Sequence, residues 1–267
     1  MGMSVNSPGV AVATQAPSSL QQTERQSSGL RINSAADDAA SMSISSRMSA
    51  DLAASSAASR NIVNATSFSQ ALDGSLNQTE DMLMRVRELA VQAGNGIYSD
   101  SDRAAIGSEM NALFDELNNL TSSSEFNGRK YLDSNSSSTF QVGPDAGDQI
   151  TLETASLTEE FTAGGLYDVD LSSPEAAQSA LQTIDDALAT VSGMRTEQGA
   201  IQGRLSAAAD QLSSDATNTA QALSRIQDAD MAAEASDAAK QDVLSQAKIA
   251  VQGQGNASAQ QVLALLG

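Results

Sequence analysis

The sequence predicts a mainly α protein, an elongated antiparallel bundle of long, coiled-coil-like helices with a small β-hairpin, in which the two termini pair as helices at one end. Aromatic residues are scarce, with five Phe, three Tyr and no Trp among 267 residues. Apolar residues instead recur every three or four positions over long stretches, which is typical of amphipathic helices. Small aliphatic side chains suit helices that lie side by side, whereas a compact core of this size normally uses more aromatic area.

Charge and residue usage exclude several classes of function. The chain carries 14 basic and 33 acidic residues, a net charge of −19, so nucleic-acid binding is not expected, because phosphate contacts need clustered Lys and Arg. The chain contains no Cys and no His, which disfavours zinc, haem and copper sites and removes the usual nucleophile–base pairs. We therefore predict no cofactor and no catalysis. No apolar run reaches the roughly 18–20 residues of a membrane span, so no membrane partner is expected.

The first half of the chain predicts two long helices. Residues 1–28 contain Pro8 and Pro17, which interrupt any helix there. From about Asn33 a helical pattern begins, with apolar residues spaced by three, four or small multiples of these: Ile44, Met48, Leu52, Ile62, Leu72, Leu76, Leu83, Val86 and Ala90. Gly94 and Gly96 end this helix, and Ser99 or Asp100 caps the next, which covers about 101–123.

The second half predicts a hairpin followed by long helices. "FNGRKYLD" contains an Asn-Gly turn, and two short strands follow, with Phe140 and Val142 in one and Ile150 and Leu152 in the other. Residues 155–173 read as an irregular, acidic segment. After Pro174 a heptad seam with a polar centre at 195, 198 and 202 is expected. Its members are Ile184, Leu188, Val191, Arg195, Gln198, Gln202, Leu205, Ala209, Leu212, Ala216, Thr219, Leu223 and Ile226.

These patterns divide the chain into five segments. We predict an N-terminal inner segment at 1–32, long helices at 33–130, a β-hairpin with an acidic loop at 131–173, a long helix at 174–226 and a C-terminal helix at 227–267. Residues 131–194 hold eleven acids and no base. Because helical ends flank the strand-like middle on both sides, we expect the termini to meet.

The adjacent Asp37 and Asp38 are interpreted as helix-starting residues. Asn33 or Ser34 can cap the first long helix, with Asp37 completing a pair that resembles a capping box. Negative charge in a first helical turn is favoured by the helix dipole. The alternative, a shared metal or proton site, is disfavoured because neighbouring helical residues point about 100° apart.

Several blocks of the sequence carry a family resemblance. "ERQSSGLRINSAADDAASMSISSRM", "QTEDMLMRVRELAVQAGNG" and "SSSEFNGRKYLD" resemble bacterial flagellin blocks in their order, and "SRIQDADMAAEASDAAKQDVLSQAKIAVQGQGNASAQQVLALL" resembles the flagellin C-terminus. The resemblance spans residues 24–152 and about 220–266. This chain departs from the family at Pro17, which falls where an inner helix is expected, and at Gly253 and Gly255, where the family prefers Ala.

The resemblance implies a structural subunit that polymerises into the extracellular flagellar filament, a homo-oligomer of many copies. It implies export through the flagellar type III apparatus without a cleavable signal peptide, and partners that include an export chaperone and the cap and hook-associated proteins. It also implies that Arg85, Leu89 and Glu109 lie on a subunit interface that vertebrate flagellin-sensing Toll-like receptors bind. By the same resemblance, six C-terminal residues are expected to pack in the inner core of the filament: Val243, Leu244, Val251, Val262, Leu263 and Leu266.

Two other functions remain open at this point. A hook–filament junction protein would share the terminal sequences more loosely and would not build long filaments by itself. A secreted helical adhesin or receptor ligand would not polymerise at all, and its activity would survive removal of residues 1–28 and 240–267. Apolar residues on a helical chain end favour self-assembly over both, because such residues need a partner for burial.

Overall fold

A computed structural model describes the backbone of residues 17–266 and the side chains of 21–261. The helices are α1 (Pro17–Ser28), α2 (Ala39–Ala93), α3 (Asp100–Ser123), α4 (Leu157–Ala163), α5 (Pro174–Gln227) and α6 (Met231–Leu266). The strands are β1 (Glu125–Phe126), β2 (Arg129–Lys130), β3 (Ser136–Gln141) and β4 (Gln149–Thr154). The predicted mainly α class with long helices and a small hairpin is confirmed.

The described chain divides into two compact units, and the division runs within α2 and α5 rather than at the predicted segment boundaries. The core unit is Asp51–Ala216, and the terminal unit combines the residues up to Ala50 with those from Thr217 onward. Among the side chains that are described, every buried apolar residue except Ile32 belongs to the core unit. The terminal unit therefore consists of helices that share almost no core.

The core unit is organised by the packing of α2 against α5. Ser69 of α2 contacts Gln198 of α5, and Arg87 of α2 contacts Asp185 of α5, so the two helices run antiparallel. Buried residues of α2 alternate steps of four and three, which is a heptad repeat. The residues in this repeat are Ala58, Ile62, Ala65, Ser69, Leu72, Leu76, Thr79, Leu83, Val86, Ala90 and Ala93, and Ser45, Ser55, Phe68 and Leu89 are buried beside or before it.

The buried seam of α5 differs from the predicted one at alternate positions. Ala187 and Ile201 are buried where Leu188 and Gln202 were expected, and Gln198 is a shared member. Both versions fit a three-four spacing, so the periodicity could not separate them. Burial of Ile201 rather than its polar neighbour avoids the cost of desolvating an amide.

The predicted polar centre of α5 is thereby reduced to one fully buried residue. Gln198 lies in the seam and accepts a hydrogen bond from Ser69 Oγ at 3.2 Å. Arg195 lies at the flank instead, where its guanidinium pairs with Asp73 at 3.3 Å and with Glu80. On α2, Ile44 is likewise exposed, and Ser45 takes the buried position beside it.

The turns that were predicted from Gly, Asn and Ser lie where expected. Helix α2 ends at Ala93, and Ser99 caps α3 in a capping box with Asp102. Asn127 and Gly128 both have positive φ angles, 52° and 76°, and link β1 to β2 in a tight hairpin. Strands β3 and β4 pair antiparallel, with Phe140 opposite Ile150.

Two helical features were not predicted. Residues 155–173 contain α4, capped by Ser156 through Glu159 N, and a 3₁₀ turn at Leu166–Asp168. Leu157, Phe161 and Leu166 from this region are buried. The prediction that this segment is irregular was wrong, because a helix of seven residues is too short for its apolar period to stand out.

The N-terminal helix corrects a second expectation. Pro17 lies in α1 as its first described residue, so it does not prevent a helix there. Proline is tolerated there because the first amide of a helix has no intrahelical partner. Helix α1 packs against α6 within the terminal unit, which confirms the predicted pairing of the termini as helices. Pro8 lies outside the described residues.

Candidate functional site

Helix α6 is the part of the terminal unit that is least covered by the rest of the described chain. Every residue from 239 to 261 is exposed. Four of them are large apolar residues: Val243, Leu244, Ile249 and Val251, with exposed fractions of 65, 58, 69 and 69%. Isolated exposed apolar residues are common on proteins, but a row of them along one helix marks a surface that another molecule covers.

The exposed apolar residues of α6 lie on more than one face of the helix. Val243, Ala247 and Val251 share one face at steps of four, and Leu244 lies beside them. Ile249 is six residues from Val243, which places it about 120° away around the helix axis at 100° per residue. Burial of both faces requires neighbours on at least two sides. The sequence-based prediction named Val243, Leu244 and Val251 but missed Ile249, because it does not follow the three-four step.

The other three predicted inner residues, Val262, Leu263 and Leu266, lie outside the part of the chain whose side chains are described. Helix α6 itself extends to Leu266. Gly253 and Gly255 are inside it, and nothing approaches within 4 Å of a Cβ built at either position. Each glycine costs about 1 kcal/mol of helix stability relative to Ala. No close neighbour within the described chain requires a residue without a side chain at either position.

The first turns of α6 are anchored to α1. Asp230 precedes α6 and accepts hydrogen bonds from the backbone N–H groups of Ala232 and Ala233 at 3.0 and 3.1 Å. Arg25 of α1 lies 3.8 Å from the Glu234 carboxylate, and Gln22 donates to the Glu234 carbonyl at 3.3 Å. The base of α6 is thus fixed to α1, while the exposed row begins after it.

The chain segments that precede α2 and follow α5 are joined by backbone hydrogen bonds. Gly29 has a φ of 71° and turns the chain after α1. Leu30 then forms an antiparallel bridge with Asp228, and Arg31 N donates to the Gln227 carbonyl at 2.7 Å. The Arg31 guanidinium also donates to the Ile226 carbonyl. This small ladder holds the two chain reversals side by side.

The start of α2 corrects the predicted cap. The helix begins at Ala39, and Asp38 caps it by accepting from Ser41 N at 3.0 Å and from Ser41 Oγ at 2.6 Å. Asn33 and Ser34 do not cap the helix. They lie in the preceding turn, where their backbone N–H groups donate to the Asp37 carboxylate at 3.1 and 2.9 Å. Local hydrogen bonding by Asp37 satisfies this turn and delays the helix start.

These contacts explain the electrostatics of the aspartate pair. The Ser34 backbone N–H, then the Gln21 side chain and the Asn33 backbone N–H, lower the pKa of Asp37 to about 2. Hydrogen bonds from the Ser41 side chain and backbone lower the pKa of Asp38 as well. Each of the two carboxylates thus accepts hydrogen bonds from a different set of neighbouring residues. Within the described residues, no group of His, Asp and Glu side chains is arranged to hold a metal ion.

The structure separates the three predicted surface residues of the core unit. Arg85 Nη2 lies 2.8 Å from Glu109 Oε1, and Arg85 also pairs with Glu88, with both carboxylates on the surface. These hydrogen bonds, from Glu109 first, raise the pKa of Arg85. Leu89 is only 2% exposed and packs in the core. Arg85 and Glu109 therefore form one accessible ion pair. The Leu89 side chain is buried in the core unit, so it is not available for contact with another molecule.

Within residues 17–266, no helix combines the length and apolar character that a bilayer crossing requires.

Comparison with known proteins gives consistent similarities along most of the chain. Residues 10–137 match the bacterial flagellin N-terminal helical region, and residues 181–266 match the bacterial flagellin C-terminal helical region. The sequence is 38% identical over 257 residues to the flagellar filament 30.7 kDa core protein of Treponema maltophilum, covering 91% of this chain and 90% of that protein. It is 36% identical over 281 residues to flagellin of Bacillus subtilis strain 168, with coverage of 93% and 92%. The crystal structure of Bacillus cereus flagellin gives a TM-score of 0.53 at 28% identity, over 61% of this chain and 94% of that one.

Proposed function

We infer that this chain, which belongs to the bacterial flagellin family, is a structural subunit of the flagellar filament. The observation that carries this function is the exposed apolar row of α6, on a helix with almost no core of its own. Full burial of a Val or Leu side chain contributes about 1.5–3 kcal/mol. Four such residues on two faces of one helix therefore favour burial among several neighbouring copies.

The proposed mechanism couples assembly to completion of the core. The core unit holds the buried seam of α2 and α5, which stabilises the single molecule, whereas α6 gains most of its packing only from other subunits. Each docked subunit then offers a new unfilled apolar surface to the next one. A head-to-tail arrangement of this kind does not close and builds an open helical polymer.

Several partners and steps rest on family resemblance and belong to this proposal. They are export of the unfolded chain through the flagellar type III apparatus, an extracellular location, and contacts with an export chaperone and with the cap and hook-associated proteins. No catalytic role is proposed, since the flagellin family is a structural one. The exposed Arg85–Glu109 pair is the proposed subunit contact on the core unit, and it is also the proposed contact with the vertebrate flagellin-sensing Toll-like receptor.

Electron microscopy of the purified full chain tests the proposed function. Monomers warmed under polymerising conditions are expected to form micrometre-long filaments. Val243→Ser, Leu244→Ser and Val251→Ser, combined in one variant, should abolish filaments, because the inner packing surface is lost. The matched control replaces three exposed Gln residues of the same helix: Gln241→Ser, Gln246→Ser and Gln252→Ser. It lowers helix propensity at least as much as the test variant does, because Gln is a better helix former than Ser, and it should still polymerise.

Three outcomes would contradict the proposal. Wild-type protein that stops at short rings would indicate a junction protein, and wild-type protein that stays monomeric would indicate a non-polymerising ligand. Equal polymerisation by the two triple variants would remove α6 from the mechanism. Circular dichroism of both variants as monomers should show the same cooperative unfolding of the core unit, which excludes misfolding as the cause of failure.

A further inference from the structure

A groove in the core unit has a charge pattern opposite to that of the chain as a whole. The groove has a volume of about 590 Å³ and lies between the β1–β2 hairpin and β3, over Phe68 of α2. Its lining includes Arg129 and Lys130, and none of the lining residues is acidic. In a chain with 33 acids and 14 bases, a surface lined by bases without acids is selective for negative charge.

One wall of the groove is the open edge of β3. Val142 N donates to the Asp148 carbonyl at 2.8 Å, so even-numbered residues of β3 pair with β4. Odd-numbered residues direct their backbone groups away from β4. Asn61 of α2 confirms this orientation by donating to the Gln141 carbonyl at 3.1 Å. The backbone N–H groups of Ser137 and Thr139 therefore face the groove side of the strand.

The groove thus combines several kinds of hydrogen-bond donor. Arg129 is exposed on β2, Lys130 is half-exposed and lies 3.2 Å from Asp133, and the open edge of β3 adds backbone donors. Guanidinium, ammonium and backbone N–H groups all donate to carboxylates. An occupant with several carboxylates in a short stretch fits this surface.

We infer that the groove binds the acidic surface of a second copy of this chain. Residues 131–194 supply eleven carboxylates and no base, and several of them, such as Glu160, Asp168 and Glu175, are exposed or half-buried on the core unit. The assignment deepens the proposed function and rests on it, since the partner is another subunit. It adds an electrostatic contact between core units to the apolar contact made by α6.

The lysine content of the chain makes this contact directly measurable. Lys130 is the only lysine in residues 51–216, and the others are Lys240 and Lys248. A carbodiimide joins a lysine amine to a carboxylate only when the two are in salt-bridge contact. Filaments grown from an equal mixture of ¹⁵N-labelled and unlabelled full-length monomers would be treated and digested, and the mixed-isotope crosslinks identified by mass spectrometry. The expected result is a crosslink between copies from Lys130 to a carboxylate of residues 131–194.

Two internal controls accompany that measurement. The Lys130–Asp133 and Lys240–Asp237 pairs, at 3.2 and 2.9 Å, should crosslink within one copy even in monomers. If filaments form but Lys130 joins only Asp133 of its own chain, or joins acids of α6 in another copy, the inference is wrong while the proposed function stands. If the wild-type chain never polymerises, both fail together.

A charge-reversal variant gives a second, independent test. Arg129→Glu should raise the critical concentration for polymerisation about three- to tenfold at low salt. The difference from wild type should shrink as salt rises, because screening shortens electrostatic reach. Arg204→Glu is the matched control, since it makes the same change of charge at an exposed position of α5 outside the groove. Equal effects of the two variants would show a dependence on net charge alone and would overturn the assignment.

Discussion

The core unit and helix α6 use similar residues in opposite ways. Leu72 and Leu83 of α2 are fully buried in a heptad seam, whereas Leu244 and Val251 of α6 are exposed over more than half of their surface. Both helices are rich in Ala, Leu and Val, and both are long. The difference is that α2 packs against other elements of the core unit, whereas α6 packs against α1 along its first turns and its described side chains from 239 to 261 are exposed.

This contrast teaches that burial, rather than apolar content, divides the chain between stability and assembly. Packing in the core unit stabilises the single molecule. The exposed row of α6 contributes to stability only when another copy covers it, so its energy is available for polymerisation. The same substitution should therefore lower the stability of the monomer in the core unit but weaken polymerisation in α6.

The largest expected effect comes from one substitution made in both regions. Leu72→Ala should lower the free energy of unfolding of the monomer by about 2–5 kcal/mol, because it leaves a cavity in the seam. Leu244→Ala should change monomer stability by no more than about 0.5 kcal/mol, yet weaken polymerisation. Denaturant unfolding and a polymerisation assay measure the two quantities. A large loss of monomer stability from Leu244→Ala would break the comparison.

A smaller effect separates the two glutamines of the α5 seam. Gln198→Ala should cost about 1–3 kcal/mol, since it leaves the buried Ser69 hydroxyl without its acceptor. Gln202→Ala, at the position that spacing alone also allowed, should cost about 0.5 kcal/mol or less. Thermal unfolding of the two variants compares them directly. Equal losses would restore the predicted seam and contradict the observed one.

The exposed Arg85–Glu109 pair should contribute less again. A double-mutant cycle with Arg85→Ala and Glu109→Ala is expected to give a coupling of about 0.2–1 kcal/mol in the monomer, because both side chains are about half exposed and solvent screens them. If the pair also lies at a subunit contact, each single variant should weaken polymerisation by more than the loss of this small coupling in the monomer would cause. Polymerisation at wild-type level in both would remove the pair from the assembly surface.

The smallest expected effect is a pH dependence of the turn before α2. The pKa of Asp37 is lowered to about 2 from an ordinary value of 3.8. A depressed carboxyl pKa stabilises the folded turn above about pH 4, and this contribution is lost as the pH falls toward 2. NMR titration should show Ser34 and Asn33 amide shifts that follow Asp37, and Asp37→Asn should remove them. An Asp37 that titrates near its ordinary pKa would contradict the observed hydrogen bonds.

Much of the fold could be predicted because its signals are local. Gly94 and the Ser99 cap marked the boundary between α2 and α3, Asn127-Gly128 marked a tight turn, and Pro174 marked the start of α5. Each depends on the backbone geometry that one residue type permits or on a hydrogen bond within a few positions. The exposed Val243 and Leu244 were also predicted as assembly residues, because they lie on a helix near a chain end.

The tertiary structure decided the rest. Sequence spacing allowed either Ala187 and Ile201 or Leu188 and Gln202 in the seam, and only the position of α2 selects between them. Likewise, Leu89 is as apolar as a contact residue would be, but the packing around α2 places it inside. Periodicity fixes which residues share a helix face, since that follows from 3.6 residues per turn. Which face is covered, and by what, depends on residues more than a hundred positions away, and these are brought together only when the chain folds.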